Sequence, residues 1–132
     1  MVEINVITLK QPWASAIFCG KSVENRRWQT SYRGELFVHA GRSIDRDGFA
    51  FIRRVGAERR MPMQLPLGQI LGSVRVVDCR FEGFMDDPWA MAGHYHWKLE
   101  SPRLLRQPIF CRGHLKIWTL DVPETELMFD PT

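Results

Sequence analysis

The chain has 132 residues, of which 45% are hydrophobic and 25% are charged, a size and composition typical of one globular domain with its own core. This composition excludes a wholly disordered chain, and no apolar run approaches the 18 residues of a membrane-spanning helix. We expect no membrane partner and no secretory signal, because the N-terminus lacks a basic segment followed by an apolar one.

The net charge of +3 conceals an uneven distribution. The last twelve residues contain four acids and no lysine or arginine, so the first 120 residues hold 18 basic against 11 acidic side chains. Arginine supplies 14 of the 18, and its planar guanidinium binds phosphate through two parallel hydrogen bonds. A nucleic-acid partner is compatible with this charge, and so is simple solubility.

The three cysteines, Cys19, Cys79 and Cys111, are odd in number and widely spaced, with no CxxC pair and no histidine at zinc-finger spacing. This pattern predicts reduced thiols, no metal site and a cytoplasmic protein. The sequence also lacks a phosphate-binding glycine loop and a dinucleotide fingerprint, so no cofactor is expected.

The N-terminal residues predict a strand, a helix and a second strand. Residues 3–9, EINVITL, alternate as a strand does. A helix is expected over about Gln11–Cys19, because Pro12 suits its first turn and Gly20 can end it in a left-handed conformation. A polar strand, residues 22–28, follows.

The middle of the chain predicts a strand over residues 34–40 and a helix over 43–55, capped by its first residue, Ser43. Residues 56–68 form a basic loop interrupted by prolines. Residues 68–82 carry a strong strand pattern, in which Gly72 indicates a bulge.

The remaining residues predict an irregular connection over 85–97, a strand over 95–101, an extended segment over 103–109 and a final strand over 113–122. Five or six strands with two helices indicate an α+β domain, a small curled sheet or open barrel with helices covering its ends. The domain is expected to span 1–122.

An acidic tail, residues 123–132, follows this domain. Its charge suggests that it folds back over the basic surface and competes with nucleic acid. Deleting the tail should then tighten nucleic-acid binding at low salt.

The stretch GKSVENRR, residues 20–27, concentrates charge between the first helix and the second strand. Polar groups and tryptophans are dense in this strand–helix–strand unit, which carries Lys10, Gln11, Trp13, Lys21, Glu24, Asn25, Arg26 and Trp28. Aromatic rings can stack on a flipped or single-stranded base while lysine or arginine meets its phosphate.

Simpler interpretations of these residues stay open. Lys21 would then cap the helix, where its charge contributes about 0.3–1 kcal/mol, Glu24 would pair with a surface arginine, and the tryptophans would be core residues. Trp118 is expected in the core. His39 is expected to be a hydrogen-bonded core histidine, and His94 and His96 lack a recognisable third metal ligand.

Three blocks of the sequence resemble the ASCH domain, a module first recognised in a transcription coactivator. The first, LKQPWASAIFCGKSVENRRWQTSYRGELFVHAG, contains the family's GxKxxE signature as Gly20, Lys21 and Glu24. The others are LGQILGSVRVVDC and HWKLESPRLLRQPIFCRGHLKIWTL. The resemblance implies a PUA-like β-barrel that binds RNA or a nucleotide, with Lys21 and Glu24 facing a cleft.

On this hypothesis the nucleic-acid site consists of Lys10, Trp13, Lys21, Glu24, Asn25, Arg26 and Trp28. Two alternatives remain. Some relatives in the wider superfamily are amidohydrolases that act on acetylcytidine through a lysine and a threonine, and others are proposed to cleave RNA. Here Glu24 stands at the threonine position, and a carboxylate cannot replace a hydroxyl as the nucleophile that accepts the acyl group. In a hydrolase that cleaves RNA, Lys21 would be the electrostatic stabiliser and Glu24 the general base. The coactivator relative suggests instead an adaptor with a protein partner.

Overall fold

The computed structural model describes residues 1–131 as a mixed six-stranded sheet with helices packed beside it. Two short 3₁₀ turns, Glu58–Arg60 and Glu124–Glu126, follow the second helix and the last strand. The strands are β1 (Val2–Gln11), β2 (Val23–Arg26), β3 (Gly34–Ile44), β4 (Gln69–Phe81), β5 (Tyr95–Phe110) and β6 (Ile117–Val122), and the helices are α1 (Trp13–Ile17) and α2 (Asp47–Arg54).

The strands lie in the order β2-β5-β4-β3-β1-β6, and every neighbouring pair is antiparallel except β1 and β3. A parallel pair requires a crossover connection, and here the crossover carries α1 and β2. The predicted α+β class with six strands and two helices is confirmed. Within residues 1–131 the pairing leaves the sheet open, because β2 and β6 each have one strand neighbour.

Both faces of β1 are buried. Ile7 and Leu9 belong to the core beneath α1, whereas Ile4 and Val6 belong to a second core that includes Phe37. Such two-sided burial explains why four of the six positions from Ile4 to Leu9 are apolar, with less alternation than a half-exposed strand would show.

The first helix is shorter than predicted, with five residues from Trp13 to Ile17. Gln11 belongs to β1 and holds the helix from outside: its Oε1 accepts from the Ser15 backbone N–H at 2.9 Å, and its Nε2 donates to the Ser15 hydroxyl at 2.7 Å. The buried face consists of Ala14, Ser15, Ala16 and Ile17.

The predicted start of the second helix at Ser43 is wrong. Residues 43 and 44 extend β3, where Ile44 pairs with Gln11, and α2 begins at Asp47. Asp45 satisfies the free helix N–H instead, because its Oδ1 accepts from the Asp47 N–H at 3.2 Å.

The predicted bulge at Gly72 is confirmed by a shift of the β4–β5 register between Ile70 and Gly72. A Cβ at Gly72 would lie 2.0 Å from the Arg103 carbonyl oxygen, so only glycine allows the β5 backbone to approach this closely. Residues 95–101 and 103–109, expected as separate segments, are joined in β5 through Ser101, which has a φ of +54°.

The segment after β6 crosses to the part of β5 that β2 does not cover. Phe129 bridges Leu105 as an antiparallel partner, the Arg106 N–H donates to the Met128 carbonyl at 2.8 Å, and the Asp130 N–H donates to the Leu104 carbonyl at 2.8 Å. Across residues 1–131 no helix is both long and apolar enough to cross a membrane.

Candidate functional site

The turn after α1 places Lys21 at a fixed position. Gly20 has a φ of +112°, a conformation that residues with a side chain rarely adopt. The N–H groups of Cys19 and Lys21 both donate to the Ala16 carbonyl, at 2.9 and 3.0 Å. These bonds satisfy the end of α1 and lead the chain directly into β2.

Lys21 and Glu24 form an ion pair that is almost completely covered. Lys21 Nζ lies 2.5 Å from Glu24 Oε1 and donates to the Val23 carbonyl at 2.7 Å. The exposed fractions of the two side chains are 1% and 9%. Charges so poorly solvated interact more strongly with each other and with any ligand than surface charges do.

The second carboxylate oxygen of Glu24 is less firmly engaged. Its contact with Arg26 Nη1 is 3.5 Å long, and the Arg26 side chain is 25% exposed. Because hydrogen bonds weaken at this length, Glu24 Oε2 is the atom of the pair best placed to accept a hydrogen bond from another donor. The partly exposed Arg26 side chain marks the side from which such a donor would approach.

Trp13 borders the pair on the side of the helices. Lys21 Nζ lies 5.5 Å from the centre of its half-buried ring, within the range of a cation–π contact. The indole N–H donates to Asp45 Oδ2 at 2.9 Å, and the ring meets Phe51 edge to face with centroids 5.4 Å apart. These contacts fix the ring orientation.

Trp28 contacts Arg26, the residue whose guanidinium reaches Glu24. Its half-buried ring lies 5.6 Å from the Arg26 guanidinium and 5.7 Å from Lys116 Nζ, and it packs edge to face against the buried Trp97. Sequence reasoning missed Lys116, which comes from a turn 88 positions later. Only its positive φ of +59° is a local peculiarity, and the sequence gives no sign of it.

The structure therefore brings together five of the seven predicted site residues, namely Trp13, Lys21, Glu24, Arg26 and Trp28. Asn25 lies on the other face of β2, where its side chain donates to the Trp89 carbonyl at 2.9 Å and accepts from the Met91 N–H at 2.8 Å. Its observed contacts hold the 82–94 loop. Lys10 is exposed near the end of β1 and makes no ion pair within residues 1–131.

The histidines serve as internal hydrogen-bonding groups. His39 is buried, as predicted, and its ring contacts the Cys111 carbonyl at 2.8 Å and the Thr8 hydroxyl at 3.3 Å. Burial lowers its pKa below the usual value of 6.5. His96 is also buried and contacts the Phe84 N–H and the Met91 carbonyl, whereas His94 is only partly buried.

None of the three grooves described for the molecule is the cleft expected beside α1. These open grooves, of about 520, 600 and 820 Å³, are lined by other residues than Lys21 and Glu24. Among residues 1–131 no three His, Cys, Asp or Glu side chains are grouped as metal ligands would be.

The open, mixed six-stranded sheet with two helices and a covered lysine–glutamate pair defines a small α+β domain of the PUA-like class. The family model of the ASCH domain matches residues 7–107. The chain belongs to the ASCH domain family, and the resemblance predicted from the GxKxxE signature and its accompanying blocks is confirmed.

The chain is also similar to activating signal cointegrator 1 of mouse and of human. It is 29% identical to the mouse protein and 28% identical to the human protein over 127 residues. The match covers 87% of this chain and 22% of each relative, so the chain spans about a fifth of the length of these proteins.

Proposed function

We propose that this ASCH domain binds single-stranded RNA and holds one of its nucleotides beside Glu24. The observation that carries the proposal is the continuous series of contacts from Trp13 through Lys21, Glu24 and Arg26 to Trp28. Two aromatic rings flank one buried carboxylate whose second oxygen is only weakly bound.

Each part of this series has a role in binding RNA. The tryptophan rings supply stacking, which contributes about 1–3 kcal/mol per base. Glu24 Oε2 accepts from a base amine or a ribose hydroxyl, displacing the long contact to Arg26. The released guanidinium then lies near the nucleotide's phosphate.

Lys21 holds the Glu24 side chain in place. Its ammonium already donates to two oxygens and faces the Trp13 ring, so it acts on the ligand through Glu24 and does not need to reach a phosphate itself. Such support by a buried neighbour keeps a binding group in one geometry.

The test is a titration of fluorescein-labelled single-stranded RNA with the wild type, Arg26→Gln and Arg27→Gln. Arg27 is the exposed neighbour of Arg26, so its variant has the same charge change and is the matched control. We expect weaker binding for Arg26→Gln, a much smaller effect for Arg27→Gln, and affinity that falls steeply with salt. Equal effects of both variants, or affinity independent of salt, would contradict the proposal.

A hydrolase is the second candidate, favoured by the direct contact between Lys21 Nζ and Glu24 Oε1, which places a candidate general base beside a cationic group that can stabilise developing negative charge. After each titration the RNA is examined for cleavage. If the wild type cleaves RNA and Glu24→Gln does not, while circular dichroism shows that the variant is folded, the hydrolase becomes the favoured function.

A further inference from the structure

The surface between α2 and the 3₁₀ turn Glu58–Arg60 carries more positive charge than its carboxylates balance. Arg53, Arg54, Arg59 and Arg60 are all exposed. Glu58, within the same turn, is occupied by Arg53 at 2.7 Å. Arg54, Arg59 and Arg60 make no ion pair within residues 1–131.

Two of these guanidinium groups adjoin the Trp13 side of the site. Arg60 lies over the turn after α1, because a Cβ on Gly20 would be 2.8 Å from its Nη1, and the Cys19 thiol donates to the Arg60 carbonyl at 3.1 Å. Gly20 immediately precedes Lys21. Arg60 is therefore held over the turn that leads into Lys21, and it is not part of the buried ion pair.

Arg54 approaches from the other direction. Its guanidinium lies 5.1 Å from the centre of the Phe51 ring, which in turn packs against Trp13 with centroids 5.4 Å apart. Stacking of this kind orients the guanidinium plane and leaves its N–H groups free. Arg54 and Arg60 thus flank the Trp13 region with unused hydrogen-bond donors.

We infer that Arg54 and Arg60 bind phosphates of the chain that continues from the nucleotide held beside Glu24. The ligand is then a single-stranded RNA of several nucleotides, and a free nucleoside or mononucleotide occupies only part of the surface. This inference rests on the proposed function, because it needs a nucleotide at the Trp13–Glu24 site. The exposed Arg59 adds charge between the two contacts.

The physical basis is the geometry of arginine and phosphate. A guanidinium donates two parallel hydrogen bonds to phosphate oxygens, and each phosphate neutralised releases counterions from the RNA. For single strands the slope of log affinity against log salt changes by about 0.7 for each contact. Loss of two contacts should therefore reduce that slope by about 1.4.

The experiment compares Arg54→Gln/Arg60→Gln with Arg75→Gln/Arg106→Gln. Arg75 and Arg106 are exposed on β4 and β5, so both double variants lose the same charge. Binding of fluorescein-labelled oligouridine is measured between about 50 and 200 mM salt, with uridine monophosphate as a competitor.

For the Arg54/Arg60 variant we expect the slope of log affinity against log salt to fall by about 1.4, while the control variant keeps most of its slope. Uridine monophosphate should displace oligouridine from the Arg54/Arg60 variant as it does from the wild type. Equal slopes in the two variants would overturn the inference and leave the proposed function standing. No binding of oligouridine by the wild type would overturn both. If the Arg54 and Arg60 substitutions reduce the salt slope equally for single-stranded DNA and for oligouridine, the two arginines recognise phosphates alone.

Discussion

At the scale of single residues, the Lys21–Glu24 pair has two roles that must be separated. Burying an ion pair costs desolvation, which the attraction between the charges repays only when the geometry is good. Here Lys21 Nζ has two oxygen partners and Glu24 has Lys21 and, at longer range, Arg26. We therefore expect the pair to contribute little to net stability, which agrees with the binding role proposed for Glu24.

We expect Lys21→Met to destabilise the fold by about 3 kcal/mol, because the Glu24 carboxylate stays buried without its main partner. In Lys21→Met/Glu24→Leu no unpaired charge remains, so the double variant should recover a large part of this loss and yet fail to bind RNA. Urea unfolding and the RNA titration measure the two effects. A double variant that is no more stable than Lys21→Met would contradict this account.

The family signature predicted Lys21 and Glu24 as site residues facing a cleft, but it did not predict that they pair with each other or that they are buried. A lysine and a glutamate three positions apart are usually solvated, whereas the fold leaves these two side chains only 1% and 9% exposed. Asn25 was misleading for a related reason: it lies beside Glu24 in the sequence, but alternation along β2 turns it to the opposite face.

At the scale of elements, the short segment between β5 and β6 is held to the sheet by a network around Thr8. The Thr8 hydroxyl is contacted by the Trp118 indole at 3.1 Å, the His114 N–H at 3.4 Å and the His39 ring at 3.3 Å. This segment places Lys116 Nζ 5.7 Å from the centre of the Trp28 ring. The contacts join residues 31 to 110 positions apart, so no local pattern could reveal them.

Neutral His39 is required in this network, which predicts a loss of stability in acid. Burial is the main cause of its lowered pKa, and the charge of His114 adds to it. Below about pH 6.5 this histidine becomes protonated in the unfolded chain, whereas in the folded chain it stays neutral down to its lowered pKa. The free energy of unfolding therefore falls as the pH decreases from about 6.5 to the lowered pKa, and it stops falling below that pKa.

Urea unfolding at several pH values tests this prediction in the wild type, His39→Gln and His94→Gln. We expect the pH-dependent loss to shrink in His39→Gln and to persist in His94→Gln, since His94 is only partly buried. An undiminished loss in His39→Gln would assign the acid sensitivity to other groups.

At the scale of the whole molecule, the acidic tail acts as part of the fold. Phe129 packs against Phe37 with ring centroids 6.2 Å apart and lies under the Arg103 guanidinium at 3.8 Å. The tail connects β6, at one edge of the sheet, with the outer part of β5. Its carboxylates make no ion pair with the arginines of residues 1–131. Deleting it would therefore remove packing together with charge.

Substitutions within the tail separate the two effects. Phe129→Ala should destabilise the fold by roughly 2 kcal/mol, because a half-buried ring is lost from the second core, while Met128→Ala, at an exposed neighbour, should change stability little.

Glu124→Gln/Glu126→Gln keeps the packing and removes two charges. If the tail competes with nucleic acid, this variant should bind RNA more tightly at low salt and equally at high salt. Unchanged affinity at low salt, with stability unaltered, would leave the tail a structural role alone, in which its apolar residues hold the two sides of the open sheet together.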